Sequence, residues 1–217
     1  SQTITTGIDL DGGGLIWTQR RDGDAGGGWL NDTERGIAKY HTVHGTAAET
    51  NNAGGISAVS STGYTLGTFS GWNASGGDYV SWTFRKQPKF FDIVTYTGTG
   101  SAQNISHNLG IAPGFLVVKR TNNANNWTCY HRSLGSGAWI ELNNTDAKQN
   151  DSSGDYWNST SPTSTQFSVG TDTSVNGNGD SYVAYLFAHN NSDGGFGVNS
   201  DQDIIKFGSY TGTGNDN

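Results

Sequence analysis

The sequence repeats itself with a period of about 100 residues, far longer than the unit of a solenoid, so it describes tandem domains rather than stacked small repeats. Asn73-Ala74-Ser75-Gly76-Gly77-Asp78-Tyr79-Val80-Ser81-Trp82-Thr83-Phe84 is answered by Asn176-Gly177-Asn178-Gly179-Asp180-Ser181-Tyr182-Val183-Ala184-Tyr185-Leu186-Phe187. Upstream, Gly63-Tyr64-Thr65-Leu66-Gly67 matches Gln166-Phe167-Ser168-Val169-Gly170, and Gly14-Leu15-Ile16-Trp17 matches Gly114-Phe115-Leu116-Val117. The strand-like Phe91 to Gly100 returns as Ile205 to Gly214, each ending in Tyr-Thr-Gly-Thr-Gly. The pattern predicts a first repeat over 1–88, a second over 89–202, and in 203–217 the opening strand of a third, truncated copy. Ser1 in place of Met and this last motif read as a piece of a longer repetitive protein.

Hydrophobic residues make up only 32% of the chain and glycine alone accounts for 33 positions, yet there are 7 Trp, 9 Tyr and 9 Phe. That aromatic load argues for a folded protein with thin cores and long polar loops rather than for disorder. A formal charge of −7 with 12 basic residues disfavours nucleic-acid binding, which requires clustered cations to displace phosphate counterions. No apolar run has the length of a membrane-crossing helix, and no signal peptide is visible. Cys129 is the single cysteine, which leaves no intramolecular disulfide and suits a buried thiol in Trp127-Thr128-Cys129-Tyr130.

Short aromatic and β-branched runs bounded by Gly, Asn, Asp or Ser predict strands over 15–18, 38–43, 64–68, 79–84, 91–97, 115–119, 127–131, 139–142, 166–169, 182–187 and 204–210. Val80, Trp82 and Phe84 alternate with polar partners and are assigned to a core face. Tyr182 to Phe187 is apolar on both faces, as a central strand would be. The only helical candidates, 46–50 and 145–149, read as turns. The expected fold class is all-β: tandem antiparallel β-sandwich or jelly-roll-like domains with long Gly/Asn/Ser-rich loops. Gly12-Gly13-Gly14, Gly26-Gly27-Gly28 and the Asn176–Gly179 run read as turns, since none follows a strand and opens a helix as a phosphate loop does.

Chemistry is sparse. His41 and His44 lie three apart on a strand and so point to opposite faces, which does not suit shared metal coordination. His107, His131 and His189 stand singly. Asp22-Gly23-Asp24, Asn176 to Asp180 and Asn191 to Asp203 offer hard oxygen atoms to calcium but lack the spacing of a known calcium loop, so no cofactor and no metal residue is assigned. There is no Gly-x-Ser-x-Gly elbow, and no carboxylate pair recurs in both copies, so no catalytic residue is assigned and no enzyme is expected. Aromatics in polar loops give the binding candidates: Trp72 with Asn73, and Tyr156 with Trp157 and Asn158, as sugar-stacking rings beside hydrogen-bonding amides. The rival reading is that these rings plug the ends of thin sandwiches.

Asp78 to Lys86, Phe90 to Gly98, Ile105 to Arg120, Tyr130-His131-Arg132 and Tyr182 to His189 together resemble a repeated β domain of tail-fibre and other virion structural proteins of marine, cyanophage-like tailed phages. The resemblance runs from about Leu15 to the end. The first copy departs from it, with Thr5 to Asp11 where the second has His107-Asn108-Leu109-Gly110. It implies a virion structural protein, a tail fibre or another surface appendage contributing to host attachment, displayed on the virion and assembled in the host cytoplasm. Capsid decoration or a head fibre, a lectin-like glycan-binding module and a glycan depolymerase are the rivals. Other virion proteins are the implied partners, with host-surface glycans and self-association as further contacts. No nucleic acid and no membrane insertion are expected, and no heptad specifies an oligomer. The resemblance transfers no catalytic or binding residue.

Overall fold

The computed structural model of the protein describes residues 1–22 and 28–214, so Gly23 and Asp24 of the first acidic loop, and Gly26 and Gly27, lie outside the described residues. The first copy contributes β1 (Gln2–Thr5), β2 (Gly14–Arg20), β3 (Trp29–Asp32), β4 (Lys39–Thr42), β5 (Thr50–Asn51), β6 (Ile56–Ser60), β7 (Gly63–Leu66), a helical turn α1 (Ser70–Asn73) and β8 (Tyr79–Arg85). The second contributes β9 (Phe91–Thr97), β10 (Gln103–Ser106), β11 (Pro113–Arg120), β12 (Trp127–His131), β13 (Ala138–Glu141), β14 (Gln149–Asn150), β15 (Gln166–Val169), a helical turn α2 (Thr173–Asn176) and β16 (Ser181–Ala188). The fold is all-β and antiparallel. The 46–50 and 145–149 segments are not helical, and the two helical turns instead follow β7 and β15.

Each copy is a large sheet covered by a small one. Copy 1 pairs its strands in the orders β5-β4-β3-β2-β8 and β1-β7-β6; copy 2 uses β14-β13-β12-β11-β16-β9 and β10-β15. Strand alternation then distributes the apolar side chains into three cores. Ile16, Tyr64, Leu66 and Trp72 fill the space between the sheets of copy 1. Leu116, Val118, Phe167, Tyr182 and Leu186 fill that of copy 2. The third core joins the copies: Leu15 and Leu30 of copy 1 meet Phe91, Ile93, Val117, Trp127, Val183 and Tyr185 of copy 2. The two large sheets therefore pack on each other, and the order of layers is small, large, large, small.

This arrangement explains β16. It is central, between β11 and β9, and its Tyr182, Ala184 and Leu186 serve one core while Val183 and Tyr185 serve the next. It also corrects the reading of β8. Trp82 is 46% exposed, although Phe84 on the same face packs against Phe91 and Phe187. Copy 2 covers only the Phe84 end of β8, so Trp82 rests on Trp17 at 5.0 Å with its outer face open.

The Ile204 to Tyr210 segment, expected as a strand, is not one. Its counterpart β9 is a strand because β16 pairs with it from Phe91↔Phe187 to Thr97↔Ser181. Among the described residues no strand runs beside 204–210; instead Asn190 and His189 hold the backbone of its first half, Asn190 Oδ1 accepting from the Ile204 and Ile205 amides, His189 Nδ1 from the Phe207 amide, and the Ile205 carbonyl accepting from the Asn190 amide. Ile205 and Phe207 still rest on copy 2, with Phe207 5.4 Å from the Phe115 ring.

Candidate functional site

The largest polar investment lies at the seam between the copies. Arg35, just after β3, places its Nε 2.6 Å from Asp32 Oδ2 and its Nη1 3.1 Å from Glu49 Oε2, and donates through Nη2 to the Leu30 carbonyl. Tyr185 of copy 2 donates its hydroxyl to the same Asp32 oxygen at 2.8 Å. Lys119 is fully buried, gives its ammonium to the Thr46 and Arg120 carbonyls, and lies over the Trp127 ring. Burial, then Arg35 and Arg120, lower the Lys119 pKa to about 8. Two of these bonds cross between the copies, Tyr185 to Asp32 and Lys119 to the Thr46 carbonyl. The inner part of the cluster is a joint, while Arg35, Lys39 and Glu49 at its outer edge line an opening of about 450 Å³.

His41 is the poorly satisfied member. It is 1% exposed, edge-on to Trp127 at 5.5 Å, and neither ring nitrogen meets a hydrogen-bond partner among the described residues. Burial chiefly, with help from Arg35 and Lys119 and weak opposition from the Ala47 backbone, lowers its pKa to about 2. The folded state thus binds this proton less readily than the unfolded chain, whose histidine titrates near 6.5. Stability from neutral His41 is complete above pH 6.5 and is lost as pH falls toward 2, by about 1.4 kcal/mol per pH unit at full slope. Urea titrations between pH 7 and pH 4 are expected to show this acid loss and to show it flattened in His41→Phe. An equal acid slope in the variant would remove the assignment. His44, three residues on, is exposed and does not share the site.

Trp72, a predicted stacking residue, is 2% exposed. The α1 turn tucks its ring between the sheets of copy 1, against Trp29 at 5.0 Å and Tyr40 at 4.9 Å, and its Nε1 donates to Thr18 Oγ1 at 2.7 Å. Trp157 is 1% exposed, edge-on to Tyr130, with its Nε1 on the Ala138 carbonyl. Asp151 fixes that loop by accepting from the amides of Asp155, Tyr156 and Trp157. Neither tryptophan has a face to offer a sugar. Both plug a sandwich, as the rival reading held. Tyr156 is half-buried and stacked at 4.3 Å on Trp139, a partner the sequence reading did not single out, and Asn158 beside it is exposed with φ +51°.

Asn73 does line an opening. A groove of about 430 Å³ runs along β8, bordered by Gln2, Ile4, Tyr64, Trp72, Asn73 and Tyr79. Tyr79 was legible only through its equivalence to Tyr182: each hydroxyl donates to the carbonyl at the start of its helical turn (Ser70, Thr173) and accepts the amide after it (Ala74, Gly177). A second opening of about 550 Å³ lies between the large sheets, lined by Leu15, Trp17, Phe84, Phe115, Trp127 and Leu142 among others.

The acidic loops spend their oxygens internally. Asp180 is bound by Arg120 and Asn122, Asp203 by the amides of Ser192 and Gly194 and by Lys206, and Asp22 by Arg20 and the Asp78 amide. Among the described residues no group of three or more His, Cys, Asp or Glu side chains is placed to hold a metal ion. Cys129 is fully buried and its thiol is pushed up to about 12 by burial, which leaves it unreactive at neutral pH.

One family comparison matches, and it covers both copies as a single unit. The chain belongs to the family described as domain of unknown function DUF7483, whose model matches residues 1–217. No curated protein and no solved structure matches. A match across the whole duplication accords with the shared core: the unit of this family contains the pair.

Proposed function

We propose that this DUF7483 domain is a structural module of a tailed-phage virion, part of a tail fibre or another surface appendage that contributes to host attachment. The observation that carries the reading is the welded duplication. Two copies of a sandwich are joined through a continuous apolar core and a buried ion cluster, so the pair behaves as one stiff element. A duplicated, stiff, loop-rich unit extends reach and multiplies weak contacts, which is what an appendage requires and a single catalytic centre does not. The resemblance of the motif string to phage virion repeats is the second support for this reading. On this reading the partners are other virion proteins and host-surface glycans, the location is the virion surface, and no catalytic step or cofactor is assigned. The half-exposed Trp139–Tyr156 stack beside Asn158 is the surface feature best suited to the glycan contact.

Immunogold electron microscopy of purified particles, with antibodies raised against the 217-residue chain, tests this. Label on the tail or baseplate is the expected result. Label confined to the capsid would replace the appendage with a decoration or head-fibre role, and intact particles without label would end the virion reading.

A further inference from the structure

The motif Thr95-Tyr96-Thr97-Gly98-Thr99-Gly100 closes β9, and Ser209-Tyr210-Thr211-Gly212-Thr213-Gly214 repeats it, but only the first copy of the motif has a place in a sheet. β9 lies on β16, whose other neighbour is β11. The equivalent of β16 in copy 1 is β8, and β8 ends its sheet with one side bonded to β2 and, among the described residues, no strand on the other. What β9 does for copy 2 is thus undone in copy 1, and the second occurrence of the motif, Ser209 to Gly214, has no hydrogen-bond partner among the described residues.

We propose that the 205–214 segment of one chain adds as an antiparallel strand to the open edge of β8 in a second copy of this chain, joining copies head to tail. The groove along β8 is the vacancy this strand fills. In copy 2 the corresponding space is occupied by Tyr96, which stacks on Tyr182 at 5.1 Å, meets Phe167 at 6.1 Å and donates its hydroxyl to the Val175 carbonyl at 2.7 Å. In copy 1 the equivalents Tyr79, Tyr64 and Trp72 border the groove, and the equivalent of Tyr96 is Tyr210, which is 96% exposed.

The backbone repeats the argument. Gly98 donates to the Asp180 carbonyl and Gly100 to the Asn176 carbonyl, while Asn176 Oδ1 accepts from Thr99 N and from Gln103 Nε2. Asn73 is held as Asn176 is, its amide donating to Gly67 as that of Asn176 does to Gly170, but among the described residues its Oδ1 has no such donors. A Cβ on Gly98 would fall 2.2 Å from the Gly177 carbonyl oxygen, so glycine is needed where the strand meets that loop. At the equivalent Gly212 a Cβ would meet nothing within 4 Å among the described residues.

Transferring the β9–β16 register places Tyr210 opposite Tyr79, Phe207 opposite Trp82 and Ile205 opposite Phe84. Trp82 and Tyr210 are among the largest exposed apolar side chains, and this pairing covers both. Residues 208–214 are exposed, so they enter the groove first, and Ile205 and Phe207 follow only as they leave Asn190, His189 and the Phe115 ring. Donor and acceptor are different surfaces, so the contact is heterologous and propagates unless the ring closes.

Sedimentation velocity of the full chain over a wide concentration range reads this directly. Mass is expected to rise with concentration. The donor variant Ser209→Pro/Tyr210→Asp, altered only at exposed positions, and the edge variant Trp82→Lys are each expected to remain monomeric, with unchanged circular dichroism. Mixed in equal amounts they should form a dimer and nothing larger, since one intact donor meets one intact edge. A monomer at every concentration, including one in which the segment folds back on its own β8, overturns the proposal. So do oligomers of another protein only, or self-association that the donor variant leaves intact.

Discussion

Arg35→Ala is expected to destabilise the protein by about 3–5 kcal/mol, the range for removing one partner of a buried ion pair. The side chain of Arg35 is 2% exposed and that of Asp32 fully buried. With the guanidinium gone, the Asp32 carboxylate keeps only the Tyr185 hydroxyl and the Arg35 amide as donors inside a low-dielectric seam. Glu49 loses its inner partner too, although half-buried Lys39 still reaches it at 2.8 Å. The double replacement Asp32→Leu/Arg35→Met is expected to recover most of the loss, because buried ion pairs are replaceable by apolar side chains of similar volume while half-pairs are not. Because Tyr185 ties this cluster into copy 2, guanidinium unfolding followed by tryptophan fluorescence should move as one transition. Two transitions, with that of copy 2 unmoved, would mean the copies do not share stability.

How far the sequence reveals this seam depends on distance along the chain. Strands β9, β12 and β15 are readable to the residue because each is a short apolar or aromatic run closed by turn residues, and short-range pattern contains that information. β16 betrays its central place by having no polar face. By contrast β10, Gln103-Asn104-Ile105-Ser106, carries one apolar residue and becomes a strand only through its ladder with β15. β3 sits beside a glycine run and ends in Asn31-Asp32, which reads as a turn until the buried partners of both side chains are seen. The joint itself unites residues 32, 35, 49 and 185, and charged residues so far apart default to separate surface positions in any reading of sequence alone. The 204–210 segment shows the converse: motif identity with β9 does not make a strand, because a strand is a property of two backbones.

The candidate sugar-binding tryptophans follow the same logic and lead to the second large effect. Trp72 and Trp157 look exposed because their neighbours are Ser, Asn, Gly and Tyr, yet one helical turn or one Asp-anchored loop rotates each ring inward against the aromatic side chains of its own sandwich. Trp72→Ala and Trp157→Ala are each expected to lower stability by about 3–5 kcal/mol, combining lost apolar transfer with the cavity left behind. Trp72→Ala also orphans the Thr18 hydroxyl, and Trp157→Ala the Ala138 carbonyl, so Phe at either position should restore only part of the loss. Tyr210→Ala, with its ring in solvent, is expected to leave the unfolding midpoint of the monomer unchanged. The comparison separates the roles by measurement. A residue kept for a ligand leaves the unliganded fold intact when it is removed, whereas one kept for the fold takes stability with it whatever the ligand. If both alanine variants unfold at the parent midpoint, the rings are not plugs, and a stacking surface must be sought at Trp72 and Trp157 after all.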